Sequence, residues 1–494
     1  MIDILTYNDL LEIGENEKQR MEFVLEAVDK HKGSEFCKDA EVGERYYKQD
    51  TDILRYVKTV TNHLGQKVPD IWSANNKIAS NFYYYFTTQK VSYLLGNGVT
   101  FKNEETKKKL GKDFDKRVQD VAIAACNGAA GFGFFNLDHV EVFKSTEFVP
   151  LWDEDDGTLK AGIRFWQIDD GKPLRMTLYE LDGYTDYIKR KNEDMAVLHD
   201  KRPYKQIIRK SEADGETILD GGNYPGFPIV PMWNINRQTD LKGSKGNIDA
   251  YELILSGLVN TADEKEMTYW VLKGLGALDN DMSLVKFNEH MKLIGVANIG
   301  DDENASATPH TVEPPFAASA EALNRLGNQI YKDFMALKVE DISAGNVTAT
   351  QIQAAYEPLN QKTDQFEYQV TEFINGILAL AGIDDEPTYT RSQMSNQSET
   401  LEMVLQASEY LDDEYVTTKI LTLLGDSDKA QEVLMRKDAE AADRYTDVGE
   451  EDIVEDAEDE EFDTTEEEAE LDNKYLTEFS AEIMNMLEEL VGED

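Results

Sequence analysis

The chain has 494 residues, of which 41% are hydrophobic and 10% aromatic, and it carries a formal net charge of −47. This length allows several domains and a large buried core. An excess of acidic over basic residues argues against tight or sequence-specific DNA binding, because such binding neutralises phosphates with Lys and Arg. The same charge argues against an anionic membrane surface, but it is compatible with a protein that surrounds DNA without gripping it.

The start of the chain, its apolar runs and its cysteines predict a protein that is neither secreted nor inserted in a membrane. Apolar runs fall short of the ~20 residues that span a bilayer. The start, Met1-Ile2-Asp3-Ile4, has no basic region and no apolar signal core. Cys37 and Cys126 are predicted to be small buried thiols in a reducing compartment.

The first 235 residues are predicted to join helices to a β-rich part. Apolar spacing of three to four from Met21 to Val28 indicates one helix face. The segment from Asn75 to Leu95 is interpreted as a long buried helix that ends at Gly96-Asn97-Gly98, before a strand at Val99–Phe101. Short β-like runs follow, and prolines from Pro225 to Pro231 predict an extended connector.

A cluster of carboxylates around residue 155 allows two interpretations. Asp153, Asp155 and Asp156 suggest a calcium loop, but the glycine and final carboxylate that such a loop needs are absent. Asp-Gly is a common hairpin signal, so we predict a turn between strands at Phe148–Trp152 and Ala161–Trp166.

Residues 247–338 predict two helices with a small module between them. Asn247 can cap a helix that runs to about Trp270. Glycines and prolines interrupt residues 271–316, which predicts strands and loops. Ser319 is expected to cap a second helix whose apolar positions reach Leu337.

A short loop and one long helix follow. The loop is Val339 to Val347, and Thr348-Ala349-Thr350-Gln351 fits a capping box for the helix. Pro358 removes a backbone donor inside this helix, which predicts a kink near Ala354–Pro358. Gly382 is expected to end the helix.

The C-terminal hundred residues change in composition. Residues 392–445 have helical periodicity, whereas Asp and Glu dominate residues 446–472, and such runs usually stay extended or disordered. Apolar residues at helical spacing then recur from Leu476 to Leu490. This last amphipathic segment is expected to dock either on its own domain or on a partner.

No catalytic motif stands out. The six histidines are never paired at metal-ligand spacing, and the sequence has no Cys-x-x-Cys pair, no G-x-S-x-G elbow and no Walker-type loop. We therefore expect no cofactor, no metal and no enzymatic activity.

Several motifs, taken in order, resemble the portal (head-to-tail connector) proteins of tailed bacteriophages, of the siphophage type found in Gram-positive hosts. The stretches that carry the resemblance are Glu44-Arg45-Tyr46-Tyr47 followed by Ile53-Leu54, Asn75-Asn76-Lys77, Val91 to Phe101, Trp152 to Trp166, Pro228 to Asn236, Ile248 to Tyr251 and Gly345-Asn346-Val347-Thr348. Gly98 stands where the family often has Pro, and Thr348 and Ala349 stand for its usual Ser and Gly.

The resemblance implies a fold class and a domain organisation. The fold is an α+β, mostly helical portal fold with a β-rich wing, paired stem helices, a small α/β clip, a long kinked helix and a helical crown. The implied segments are the wing at 1–235, the connector and first stem helix at 236–270, the clip at 271–316, the second stem helix at 317–338, the tunnel loop at 339–347, the long kinked helix at 348–383, the crown at 384–445 and the acidic tail at 446–494.

The resemblance also implies a function. Such proteins assemble as a ring, usually of twelve copies, at one capsid vertex, where genome DNA is packaged and later ejected. The implied partners are non-specifically passing double-stranded DNA, the terminase motor, a head-completion adaptor, and the major capsid and scaffolding proteins. The implied location is the virion, with the host cytoplasm during assembly.

Site residues follow from the implied segments. Channel or tunnel-loop positions are Glu340, Asp341, Ile342, Ser343, Asn346, Val347 and Thr348. The stem positions expected to face the channel are Arg325 and Lys332, and the clip positions expected to meet a partner are Lys273, Lys286 and Lys292.

Two other functions are weighed against the portal. An acidic assembly factor or DNA mimic would act through residues 446–494, so deleting them would abolish its function. A hydrolase would hide an acidic site among the many carboxylates and would show metal-dependent activity on DNA.

Overall fold

The described part of the chain combines helices with small antiparallel sheets. The computed structural model describes residues 5–61, 65–71, 73–211, 215–263, 268–273, 306–311, 316–342, 349–392, 397–424, 429 and 433–437. The helices are α1 (Tyr7–Ile13), α2 (Glu17–Gly33), α3 (Glu35–Tyr47), α4 (Phe82–Leu95), α5 (Glu104–Lys109), α6 (Phe114–Gly128), α7 (Lys245–Asp263), α8 (Phe316–Asp333), α9 (Ala349–Ala381), α10 (Gln397–Gln406) and α11 (Asp413–Leu424). Short 3-10 helices lie at Asp52–Arg55, Ile235–Arg237, Val339–Asp341 and Ser408–Tyr410.

The strands of the described residues form two larger sheets and several two-stranded pairs. They are β1 (Thr59–Thr61), β2 (Lys67–Pro69), β3 (Val99–Phe101), β4 (Ala130–Asn136), β5 (His139–Lys144), β6 (Phe148–Trp152), β7 (Leu159–Trp166), β8 (Leu174–Glu180), β9 (Gly183–Lys189), β10 (Ala196–Arg202), β11 (Lys205–Ser211), β12 (Gly215–Gly222), β13 (Ile229–Trp233), β14 (Thr268–Lys273), β15 (Ser306–Thr311) and β16 (Pro387–Tyr389). One sheet has the order β10-β9-β8-β7-β6 and another the order β13-β4-β5, while β1-β2, β11-β12, β14-β15 and β16-β3 are two-stranded. This mixture confirms the predicted α+β class.

The largest core surrounds the three-stranded sheet. Helix α9 buries Phe366, Val370, Phe373 and Ile377 there, at the 4-3-4 spacing that the sequence shows. The helix approaches strand β4 closely, because a Cβ on Gly133 would lie 2.6 Å from the Phe373 ring. Glycine is therefore what lets the long helix dock on this sheet.

A second core covers one face of the five-stranded sheet. Helices α1 and α2 pack on it, and α2 buries Phe23, Val24, Ala27 and Val28 against the strands. Strands β6 and β7 pair antiparallel around the predicted Asp-Gly turn. Lys160 pairs with both Asp153 and Asp156, so a lysine occupies two of the three carboxylates that had suggested calcium.

The proline-rich segment predicted as a connector is partly a strand. Strand β13 pairs antiparallel with β4, and Pro231 lies opposite Phe132. Because β13 is an edge strand of its sheet, a proline that lacks a backbone N–H can be accommodated there.

The helix predicted from Asn75 begins later than expected. Helix α4 starts at Phe82, and residues 73–81 carry no regular secondary structure. Gly98 has φ 77°, as expected for the turn that leads into strand β3.

The helix predicted to reach Trp270 is shorter than expected. Helix α7 ends at Asp263. Trp270 lies in β14, which pairs with β15, and it is opposite Pro309 in that pair. The segment from Thr268 to Lys273 is rich in aromatic and β-branched residues, which favour a strand. Residues 274–305 and 312–315, the rest of the predicted clip, lie outside the described residues.

The second helix of the pair is displaced towards the N-terminus. Helix α8 begins at Phe316, so Ser319 lies inside it, and it ends at Asp333. Met335 has φ 49°, a left-handed conformation that a helix cannot continue through. Phe334 and Leu337 are nevertheless buried, so the apolar spacing outlasts the helix itself.

The chain divides into two units, Met1–Ser395 and Asn396–Asp494. The predicted crown starts at residue 384, but strand β16 pairs with β3 and Arg391 forms ion pairs with Asp364 and Glu367. Residues 384–392 therefore belong to the first unit. In the second unit, α10 and α11 pack against each other.

Candidate functional site

The candidate site is built on the antiparallel pair α7–α8. Ile248 of α7 and Ile330 of α8 lie in one buried cluster, with Tyr251 and Tyr331 packed around it. Asn247 near the start of α7 donates a hydrogen bond of 2.7 Å to Asp333 at the end of α8. The two helices are thus joined by buried apolar contacts and by an exposed hydrogen bond.

An extended segment runs along the other side of α7. The backbone N–H groups of Asn76, Ile78 and Ser80 donate to the side chains of Asn260, Ser256 and Glu252, at 2.5, 3.0 and 2.8 Å. Alternate residues of an extended chain face the same way, and every fourth residue of a helix lies on one face. The donors, two residues apart, therefore line up with acceptors that are four residues apart on α7. This contact fixes the rotation of α7 about its own axis.

A network of charges holds the beginning of α7. Lys245 donates to Asp52 at 2.6 Å and to Asp249 at 2.7 Å, and the Tyr46 hydroxyl also donates to Asp249. Burial alone would raise the pKa of Asp52, but hydrogen bonds from Lys245 and Arg45 outweigh it and lower the pKa to about 2. The network ties α3 and the following 3-10 helix to α7.

The outer face of α8 is polar and exposed. Asn324, Arg325, Asn328, Gln329 and Lys332 share this face. Arg325 and Lys332, both predicted to contact the channel, are brought onto one stripe, seven residues apart. The Arg325 side chain is 81% exposed, and its guanidinium pairs with Glu321 one turn earlier, which offsets its charge.

The loop after α8 is described only at its start. Glu340 is exposed, and Asp341 is the last residue of a 3-10 helix. Ile342 differs from the expectation for a channel residue, because it packs against the cluster of Tyr93, Leu337, Tyr356 and Leu359. Ser343, Asn346, Val347 and Thr348 lie outside the described residues.

The remaining predicted positions lie in other elements or outside the described residues. Lys273 is the last residue of β14, whereas Lys286 and Lys292 lie outside the described residues. Pro358 lies inside α9, which is one continuous helix of 33 residues. The kink at Pro358 stays a prediction.

A buried charge cluster joins α4, α9 and the segment before α7. Asp240 accepts hydrogen bonds from Lys90 at 3.0 Å and from Asn234 at 2.8 Å, and Lys362 lies 3.7 Å away. Lys362 also donates to the Phe334 carbonyl at 3.0 Å, just after α8. The ammonium of Lys90 lies 4.0 Å from the centre of the Phe366 ring.

Burial and neighbouring charges together set the pKa values of this cluster. Burial would raise the pKa of Asp240, but Lys362 and Lys90 hold it well below its usual range. Burial lowers the pKa of Lys362, and the nearby charge of Lys90 adds to this effect. For Lys90, the attraction of Asp240 outweighs burial and raises the pKa.

The sequence predictions missed this cluster. The only available signal was Lys90 itself, a lysine within the apolar stretch that ends in Leu94 and Leu95. Its partners are distant in sequence, 150 residues away in the case of Asp240. Spacing within the chain could not have paired them.

Among the described residues, no group of His, Cys, Asp and Glu is placed to hold a metal ion. None of the helices in that same part of the chain is long and apolar enough to cross a bilayer.

Comparison with known proteins gives this arrangement a family. A family model described as phage portal protein, SPP1 Gp6-like, matches residues 27–444. The chain belongs to this portal family. The portal match includes α7, α8, the loop and α9, and it ends before the acidic run at 446–472.

Two curated portal proteins are similar to the chain. The portal protein of Clostridium phage phiCD119 is 23% identical over 394 residues, which cover 73% of this chain and 84% of the relative. The portal protein of Bacillus phage SPP1 is 22% identical over 416 residues, covering 78% and 79%. Both phages have Gram-positive hosts, as the motifs predicted.

Two solved structures share a weaker likeness. A chain from the virion of a native gene transfer agent particle has a TM-score of 0.38 and 9% identity, over 70% of this chain and 89% of that one. A chain from the neck of an empty gene transfer agent particle has a TM-score of 0.37 and 8% identity, over 70% and 90%. The family assignment rests on the sequence matches and not on these structures.

Proposed function

We propose that the chain is the portal subunit of a tailed phage, forming a ring at one capsid vertex through which genome DNA enters and leaves. The observation that carries this function is the portal family match over residues 27–444. The ring is built of copies of this chain, twelve in number. The acidic assembly factor is not favoured, because its residues 446–494 lie beyond the matched range.

The elements take their portal roles in order. Helices α7 and α8 are the stem, β14 and β15 belong to the clip, and residues 339–347 are the tunnel loop. Residues before 236 form the wing, and the second unit forms the crown. The antiparallel contact of α7 with α8 and the polar outer face of α8 support the stem assignment.

The exposed face of α8 suits a surface along which DNA slides. Each phosphate neutralised by a free cation adds affinity, and hence resistance to movement. On this face Arg325 is paired with Glu321, and Asn324, Asn328 and Gln329 are neutral. Lys332 adds one exposed positive charge, so phosphate contacts on this face are sparse. Glu340 adds a negative charge beyond the end of the helix.

The partners follow from the same proposal. The clip, with Lys273, Lys286 and Lys292, meets the terminase motor during packaging and a head-completion adaptor afterwards. The outer surface meets major capsid and scaffolding proteins. The chain has no enzymatic role of its own, and it is present in the host cytoplasm until it joins the virion.

Electron microscopy of the purified chain tests the ring. We expect closed rings with a central hole, and class averages should give their subunit number. Particles that remain monomeric at all concentrations would contradict the proposal.

Charge reversal tests the tunnel loop. The variant Glu340→Lys/Asp341→Lys should form rings but package less DNA in an assembly assay, because lysines would bind phosphates and oppose the movement of DNA. Asp169→Lys/Asp170→Lys, in the exposed turn between β7 and β8, is a control with the same change of charge. Equal DNA contents in the two variants would refute the loop assignment.

A further inference from the structure

One glutamine holds both backbone polar groups of a residue at the base of the loop. The side-chain Nε2 of Gln89 donates to the Leu337 carbonyl at 3.0 Å, and its Oε1 accepts from the Leu337 N–H at 3.0 Å. Nε2 also lies 3.4 Å from the Tyr85 hydroxyl. Leu337 lies after the end of α8, where no helix or strand ladder satisfies its backbone.

The loop base, residues 334–338, has further contacts on either side of Leu337. Lys362 of α9 donates to the Phe334 carbonyl at 3.0 Å. The side chain of Leu337 is buried beside Tyr93 and Tyr356, and Ile342 packs against the same cluster. The chain that leaves α8 is thus held between α4 and α9 before it enters the loop.

The amide supplies something that the apolar contacts do not. Packing of Leu337 fixes its depth, but a hydrophobic contact is non-directional and tolerates rotation of the chain. Two hydrogen bonds to the N–H and C=O of one residue fix the rotation and the register as well. If the chain shifted by one residue past Gln89, the amide of Gln89 and the backbone groups of Leu337 would lose their partners in a half-buried position.

We propose that Gln89 is a positioning residue for the tunnel loop. By holding Leu337 on α4, it sets the direction in which residues 339–342 leave the stem and hence how the loop that they begin meets DNA. This inference rests on the proposed function, because it takes the loop to face the channel. Gln89 itself touches no DNA, and its effect is transmitted through the backbone of Leu337.

The test compares two glutamine variants in assembled rings. Gln89→Met keeps the shape of the side chain but removes both hydrogen bonds to Leu337. Gln119→Met is the matched control, because Gln119 donates a similar bond of 2.9 Å to the Leu95 carbonyl in the wing. Gln89→Glu keeps the acceptor for the Leu337 N–H but loses the donor to its carbonyl.

Hydrogen exchange measures directly how strongly Gln89 binds the Leu337 backbone. In Gln89→Met we expect the Leu337 amide to exchange about tenfold faster, as loss of a net hydrogen bond predicts, with Gln89→Glu between it and wild type. Gln119→Met should leave this amide unchanged. Unchanged exchange in Gln89→Met, in rings or in unassembled subunits, would overturn the inference.

DNA retention measures the positioning role. Gln89→Met rings should form in normal yield, yet fill or retain DNA roughly tenfold less well, as the loop populates other directions. Faster exchange with normal DNA content would show a structural bond only and would overturn the role. If charge reversal at Glu340 and Asp341 has no effect, the loop assignment itself fails, whereas the exchange of Leu337 still decides whether Gln89 holds the backbone.

Discussion

At the scale of single residues, the buried cluster of Asp240, Lys90 and Lys362 is the most consequential feature that the sequence predictions missed. It contains two potential positive charges and one negative charge, all removed from water. A buried charge without its partner is strongly destabilising, so the Asp240 carboxylate is needed to stabilise both buried lysines. The cluster joins three segments that are remote in sequence, including the chain after α8.

Asp240→Asn should therefore destabilise the first unit by about 3–5 kcal/mol, the usual cost of breaking a buried ion pair. Chemical denaturation followed by tyrosine or tryptophan fluorescence would measure it. Glu386→Gln is the control, because Glu386 pairs with Lys102 on the surface, where such a pair contributes ~1 kcal/mol or less. A loss for Asp240→Asn no larger than for the control would contradict the account.

The same cluster predicts a pH dependence. The pKa of Asp240 is held below its usual range in the folded chain. Its contribution to stability is therefore complete above the unfolded pKa of about 4 and is lost as the pH falls from there towards the folded value. Wild type should lose more stability than Asp240→Asn between pH 5 and pH 3, in denaturant titrations at matched salt. Parallel pH profiles would show that Asp240 is not involved.

At the scale of elements, the docking of α9 on the three-stranded sheet depends on Gly133. A Cβ there would lie 2.6 Å from the ring of Phe373, closer than real contacts allow. Gly133→Ala should destabilise the first unit by about 1–3 kcal/mol through overpacking. Gly226→Ala, whose Cβ would meet Leu380 at 3.9 Å, should change stability little.

A double-mutant cycle separates this clash from an effect on the strand itself. Phe373→Leu removes the ring that a Cβ at 133 would meet, so the second substitution should cost less in its presence. Additive losses in denaturant midpoints would place the effect of Gly133→Ala elsewhere.

The element scale also shows what could be predicted from the sequence. The buried face of α9 and the turn between β6 and β7 were predicted correctly, because helical spacing of apolar residues and an Asp-Gly turn are local signals in the sequence. The ends of α7 and α8 were not. Phe334 and Leu337 continue the apolar spacing of α8 although Met335 has left the helix, since two different clusters bury them from a non-helical backbone.

The candidate site was predictable only in part, for a related reason. Arg325 and Lys332 were placed on one polar face by helical spacing, and the structure keeps them there. Ile342 was grouped with channel residues by its position in the loop, but its contacts with Tyr93 and Tyr356 are tertiary. The hold of Gln89 on Leu337 joins residues 248 apart, which no local pattern indicates.

At the scale of the whole molecule, net charge opposes assembly. Each copy carries −47, so a ring of such subunits brings like charges together. Much of this charge lies in residues 446–494, beyond the family match at 27–444. Since the elements assigned to stem, loop and wing precede residue 446, the portal function predicts that the acidic tail is dispensable for ring formation.

Deleting residues 446–494 should accordingly leave ring formation intact and make it less dependent on salt. At 0.1 M salt the screening length is about 10 Å, and it is longer in dilute buffer, where repulsion between subunits grows. Truncated rings should therefore persist at lower ionic strength than full-length rings, as native mass spectrometry or sedimentation would show. A variant that keeps the tail but replaces its Asp and Glu residues by Asn and Gln separates charge from length, and it should behave like the deletion. If the truncated chain forms no rings at any salt concentration, the tail is an assembly element, and the division of labour proposed here is wrong.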